Sequence, residues 1–255
     1  MKIKKMFIVL VLAVALLGCG KREPRDIIVM PDVSGSIDRE SLEQAFKAID
    51  DLASHLQRGD KLTIIPILGD AEAEGSGKIL RFEVPANRQA YDSDLRDFRR
   101  KLNAALQKMQ ANAIVHPGSK TDILGAIVLA EQEFNSHTEH STKLLAILSD
   151  FIEEDRQFNF RTDNAVNGAA PVQRFATQQA RTGNLNFEKV EVYLGLLKSS
   201  EFTALGRSRR NAIRTFWIQY FNAVKAHPNF YDDGSGLLTL QMRETNLKML
   251  NSNSF

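Results

Sequence analysis

Residues 27–37, Ile-Ile-Val-Met-Pro-Asp-Val-Ser-Gly-Ser-Ile, limit the fold more than any other part of the chain. An apolar run without polar alternation reads as a strand buried on both faces. Such strands belong to parallel sheets covered by helices on either side. The run breaks off at Asp32, and Ser34 and Ser36 follow at alternate positions. Gly35 between them permits a tight turn. Three oxygen-bearing side chains crowded after a strand suit a hard divalent cation. The carboxyl end of a strand is also where open α/β sheets bind their ligands.

The remaining sequence supplies the other strands and helices. Residues 42–57 carry apolar side chains at helical spacing behind Ser41, with Gln44 as its capping-box partner. Residues 61–68 read as a second strand bent near Pro66, residues 69–77 as an acidic turn, and residues 78–84 as an edge strand closing a hairpin. Helices are expected over 92–109, from Thr121 to residue 134, and over 207–226. In the last of these Ile213, Phe216, Trp217, Tyr220, Phe221 and Val224 form an apolar stripe. Residues 143–149 and 190–197 are further buried strands. Residues 151–187 are poorly patterned, with a short strand at 157–160 and a short helix at 172–182. Residues 237–242 read as a final strand or a docked tail. Strands alternating with helices predict an α/β domain over 27–226, followed by a C-terminal extension over 227–255. The expected architecture is a mostly parallel central sheet with helices on both faces and one antiparallel edge strand.

The N-terminus has a different character. Lys2, Lys4 and Lys5 precede an apolar run over 6–17 that is too short for a comfortable transmembrane span. Leu16-Leu17-Gly18-Cys19 follows, and this segment resembles a bacterial lipoprotein signal peptide. The resemblance implies removal of residues 1–18 and lipid, palmitate included, on Cys19. Residues 19–26 then form the lipidated cysteine and a short polar tether, seven residues of which reach at most about 25 Å. Several acyl chains anchor a protein stably to a membrane. Gly20 rather than Asp follows the cysteine, which favours the outer membrane in a cell envelope that has one. Cys19 is the only cysteine, so no intramolecular disulfide forms. Removing residues 1–18 takes the formal net charge from +2 to −1, which leaves no general electrostatic attraction to nucleic acid.

Two more segments bear on the first loop. Gly118-Ser119-Lys120-Thr121-Asp122 opens a helix, and Ser149-Asp150 ends a later strand. Together with Asp32-x-Ser34-x-Ser36 they resemble the von Willebrand factor A (VWA) domain and its metal-ion-dependent adhesion site (MIDAS). The resemblance covers 27–226. It implies that Ser34 and Ser36 bind the ion directly and that Asp32, Thr121 and Asp150 bind it directly or through water. Phe151 departs from the family, which often has glycine there. Magnesium takes six oxygens and gives up water reluctantly. Two carboxylates and three hydroxyls leave room for an outside oxygen, such as an acidic side chain of a partner protein. Manganese or calcium are the alternative ions.

The leading expectation is a membrane-anchored, divalent-cation-dependent protein-binding module, not an enzyme. A magnesium-dependent hydrolase is the alternative, since two aspartates near one ion support such chemistry. A structural envelope component with a stabilising metal is a third. Ser34 and Ser36 have no identifiable histidine base, and no glycine-rich phosphate loop is present. The acid and imidazole groups of residues 133–140 read as a solvated loop, and His55 and His227 as isolated. His116 stands close enough to Thr121 in sequence to border the ligand surface. Arg207, Arg209, Arg210 and Arg214 read as a solvated face with local acid partners.

Overall fold

A computed structural model describes residues 23–75, 77–86, 91–137 and 141–232. Cys19, the signal segment and the expected strand at 237–242 lie outside the described residues. Six strands form one sheet: β1 (Arg25–Pro31), β2 (Lys61–Ile64), β3 (Leu80–Glu83), β4 (Thr142–Ser149), β5 (Val190–Leu196) and β6 (His227–Tyr231). Their order is β3-β2-β1-β4-β5-β6. All neighbours are parallel except β2 and β3, so β3 is the antiparallel edge. The helices are α1 (Arg39–Ser54), α2 (Ala71–Gly75), α3 (Tyr91–Val115), α4 (Ile123–Ser136), α5 (Ala169–Gly183), α6 (Ser200–Ala204) and α7 (Arg207–Ala223).

Every residue of β1 is buried. The apolar run from Ile27 requires it. Arg25 and Asp26, which the sequence placed in the tether, are buried charged residues of the strand, Arg25 paired with Asp60 at 2.8 Å. Successive side chains point to opposite faces and enter two separate cores. Ile28 and Met30 pack with α4, α5 and α7, whereas Ile27 and Val29 pack with α1 and α3. The apolar stripe of α7 is core throughout, from Ile213 to Phe221.

Several boundaries differ from the sequence reading for identifiable reasons. Helix α1 begins at Arg39, so Ser41 is a buried helical residue and not a cap. Strand β2 ends at Ile64, yet the Ile65 and Ile67 amides still donate to Val29 O (3.0 Å) and Pro31 O (2.9 Å). Pro66, which has no amide hydrogen, sits between these two donors without breaking the ladder. The acidic turn contains the short helix α2. Helix α3 runs on to Val115. No strand forms at 157–160; Glu154 makes a single bridge with Asn159 instead. The poorly patterned 151–187 region sends several residues into the core: Phe151, Ile152, Phe160, Val166, Val172 and Phe187 are all buried. Helix α5 within it buries Val172, Ala176 and Ala180 at helical spacing, as the expected helix at 172–182 requires, whereas Phe151, Phe160 and Phe187 enter the core from loops without periodicity.

The C-terminal boundary also moves. His227–Tyr231, placed in an extension on sequence grounds, is the outer parallel strand β6 paired with β5. Its alternating His-Pro-Asn-Phe-Tyr sequence is too polar to read as a buried strand, because it is an edge strand with partly exposed residues.

Candidate functional site

Strands β1 and β4 lie side by side with Pro31 opposite Leu148, so the residues that follow them emerge together. The chain order reverses between these two strands, which makes this the switch point where such sheets place ligands. The Asp32 amide donates to Leu148 O at 2.8 Å, continuing the ladder one residue past β1. Asp32 is wholly buried. Its Oδ1 accepts the Ser34 amide at 2.9 Å, an Asx-type turn, and its Oδ2 accepts the Ser149 hydroxyl at 2.6 Å. The Ser34 and Ser36 hydroxyls lie 2.9 Å apart.

The Gly118–Thr121 segment is stitched to both neighbours by its backbone. Gly35 N donates to Gly118 O (2.9 Å), and Gly118 N to Val33 O (3.3 Å). Thr121 and Glu154 exchange two backbone bonds of 2.9 and 2.8 Å. Thr121 is therefore held in a bridge and does not cap α4. Asp122 is the N-cap, with Oδ1 accepting Gly125 N at 2.7 Å. A Cβ at Gly125 would fall 2.3 Å from Asp122 Oδ2, so a larger residue there would displace the capping carboxylate.

Asp150 is fully buried at the end of β4. Its Oδ1 accepts Ile152 N at 3.0 Å, while Oδ2 has no hydrogen-bond partner among the described residues. Burial, and then the charge of Asp32, raise its pKa to about 7 against the pull of the Ile152 amide and, more weakly, of the nearby Ser199 and Ser36 hydroxyls. Burial likewise raises Asp32, opposed by Ser149 and Ser34. Phe151 takes a left-handed φ of 64°, the conformation that a glycine adopts freely. Its buried ring packs on Trp217 and Phe230, and Trp217 Nε1 donates to its carbonyl at 3.0 Å. Packing thus holds a bulky residue in a conformation it would otherwise avoid.

The five expected residues converge. Ser34, Ser36 and Thr121 line a cleft of about 190 Å³, and Asp32 and Asp150 are buried residues of the same loops. Oxygen donors only, one of them a buried carboxylate oxygen without a partner, form a donor set fitted to a hard divalent cation. The rim is charged: Lys120, Glu154, Arg161 and Glu201 also line the cleft. Arg161 pairs with both Glu154 and Glu201, the latter at 2.6 Å, and so ties the loop after β4 to α6. His116 is exposed at the end of α3 but does not line the cleft.

Sequence reasoning missed Ser149 as a support for Asp32, and Ser199 beside Asp150. Ser199 caps α6 by accepting Phe202 N at 2.9 Å, and a serine before a short helix was the available signal. It also missed His137, whose Nδ1 lies 2.7 Å from Asp26 Oδ2, so this part of residues 133–140 is not solvated loop. Of the late arginines, Arg214 pairs with Asp232 at 2.9 Å and Arg209 donates to the Asp163 carbonyl.

No family model and no curated protein matches the sequence. Solved structures do match. The pilus adhesin SpaC from Lactobacillus rhamnosus GG aligns with a TM-score of 0.50 at 10% identity, over 91% of this chain and 31% of that one. A von Willebrand factor type A protein from Catenulispora acidiphila aligns at 0.46 and 15% identity, over 89% and 43%. An aerotolerance-related membrane protein from Bacteroides fragilis NCTC 9343 aligns at 0.43 and 15% identity, over 88% and 99%. At these identities the likeness is one of fold: the chain is an α/β domain with a mostly parallel sheet and one antiparallel edge strand.

Proposed function

We propose that this chain is a membrane-anchored protein-binding module whose contact with a partner runs through a divalent cation, with magnesium as the leading ion. The observation that carries the reading is Asp150 Oδ2, buried without a partner in the loops that bring Ser34, Ser36 and Thr121 to one cleft. Ser34 and Ser36 would hold the ion, with Asp32, Thr121 and Asp150 bound to it directly or through water. The bound ion supplies an electrophilic coordination position for an oxygen from outside. This chain's own residues orient the hydroxyls, neutralise the ion only in part, and frame the opening with Arg161 and Lys120. A partner's acidic side chain matches the ion, with Lys120 beside it on the rim.

The anchor is proposed to be lipid on Cys19, in a cell envelope and in an outer membrane where one exists. Among the described residues no helix is long and apolar enough to cross a membrane. The chain enters β1 at Arg25, at the end of the strand remote from Asp32, so a tether there leaves the cleft facing away from the lipid.

The test is calorimetric titration of the chelator-treated protein with magnesium and manganese, followed by affinity capture from host envelopes with and without chelator. Binding lost in Asp32→Ala, together with a partner released by chelator, supports the reading. Absence of metal binding, or binding unchanged by Asp32→Ala, overturns it.

A further inference from the structure

A second group of acids lies just beyond the first site. Asp122, Glu153 and Asp155 each bring one carboxylate oxygen within 4.8 Å of the others. Backbone amides hold all three in place. Asp122 accepts Gly125 N and, at 2.9 Å, Ala71 N. Glu153 Oε2 accepts the first two amides of α4, Ile123 N and Leu124 N, at 3.1 and 3.2 Å. Asp155 Oδ1 accepts Gln157 N and Phe158 N, both at 2.6 Å.

These bonds leave an unmet demand. Glu153 is wholly buried, and its Oε1 has no hydrogen-bond partner among the described residues. Nor does any ion pair among the described residues join a lysine, arginine or histidine to one of the three acids. Arg156 pairs instead with Asp70 and is largely exposed. A wholly buried glutamate with one oxygen lacking a donor, grouped with two further acids, is satisfied by a proton or by a cation. A hollow of about 360 Å³ lined by Asp122 and Asp155, with Glu153 buried behind them, gives solvent ions a way to the two aspartates and room for water ligands.

We propose that Asp122, Glu153 and Asp155 form a second divalent-cation site, of the calcium class. Calcium takes six to eight oxygens at about 2.3–2.6 Å with loose geometry, which suits three carboxylates already tied to backbone amides. The site shares its segments with the first: Asp122 follows Thr121, and Glu154, next to Glu153, pairs with Thr121 through the backbone. A cation here clamps the segments carrying Thr121 and Asp150 and tightens the first site. The second site stands or falls independently of the first.

The experiment uses the full-length protein in detergent, stripped with chelator and titrated with calcium alone by calorimetry. Asp32→Ala removes the first site and is expected to keep calcium binding. Glu153→Gln is expected to weaken calcium binding by at least about tenfold. Because Glu153 is buried, Asp155→Asn serves as a second variant at a partly exposed position. It is expected to act in the same direction with an unchanged circular dichroism spectrum. Calcium binding lost in Asp32→Ala, or retained at full strength in folded Glu153→Gln or Asp155→Asn, overturns the second site. Either result leaves the first site to be judged by its own magnesium titration.

Discussion

The Ser149 hydroxyl donates to Asp32 Oδ2 at 2.6 Å while accepting the Phe151 amide at 2.9 Å. One side chain thereby fixes the carboxylate that ends β1 and the backbone turn that carries Asp150. Ser149→Ala is expected to destabilise the protein by about 1.5–3 kcal/mol, the scale of a lost hydrogen bond to a charged group. It should also weaken magnesium binding. Urea unfolding with and without magnesium measures both, and an unchanged midpoint in both conditions would remove this support role.

Acid should stabilise the metal-free protein. Burial raises the folded-state pKa of Asp150 to about 7, and those of Asp32, Asp122, Asp26 and Glu153 move in the same direction. In the unfolded chain these acids titrate near pH 4. Between pH 4 and 7 the native state therefore holds on Asp150 a proton the unfolded chain has lost, and stability falls as pH rises by up to about 1.4 kcal/mol per unit from that group, with the other four acting in the same sense. The lowered pKa of Glu133, held down by Arg81, acts in the opposite sense but only below its ordinary value of 4.5. Saturating magnesium should flatten the slope by stabilising the ionised carboxylates. Denaturation midpoints at pH 5 and 7.5 in chelator test the sign, and a midpoint that rises with pH contradicts it.

Phe151 should show an inverted order of substitution. Alanine loses the buried ring and keeps the unfavourable φ, whereas glycine loses the ring but relieves the backbone. Both should destabilise, alanine by about 3–5 kcal/mol. Glycine should be milder than alanine by about 1 kcal/mol. The reverse order, read from thermal or urea unfolding, would show that the turn is unstrained.

Arg161 separates binding from stability. Its ion pairs are part-exposed, so Arg161→Ala should change unfolding free energy by no more than about 1 kcal/mol. It removes positive charge from the cleft rim and leaves Glu154 and Glu201 to repel an acidic ligand. Capture of the partner should therefore weaken while magnesium binding by the protein alone persists. Equal capture by both proteins would place the partner elsewhere.

Most of strand β1 and the Asp32 loop were legible because a short apolar run ending in an acid and hydroxyls reads as a doubly covered strand, whereas Arg25 and Asp26 read as tether because they are charged. Thr121 and Asp150 were legible as residue types in the right succession. Their support was not: Ser149 and Ser199 act through contacts between segments distant in sequence, and a single hydroxyl leaves no pattern. Strand β6 was hidden by its polar edge composition. The 151–187 region was hidden because Phe151, Phe160 and Phe187 pack from loops, where neither a period of two nor one of 3.6 applies. Glu153 gave no signal, since a glutamate on a loop reads as exposed until α4 is seen to place its first amides against it.

The position of β1 also has a mechanical meaning. It is hydrogen-bonded along its length to β4 and over Asp26–Val29 to β2, so it lies in the interior of the sheet. A load applied at Pro24 and at a ligand held beyond Pro31 runs along this strand and must shear both ladders together, not peel them one bond at a time. With a tether and a ligand attached as proposed, the domain would yield last along the line that joins them.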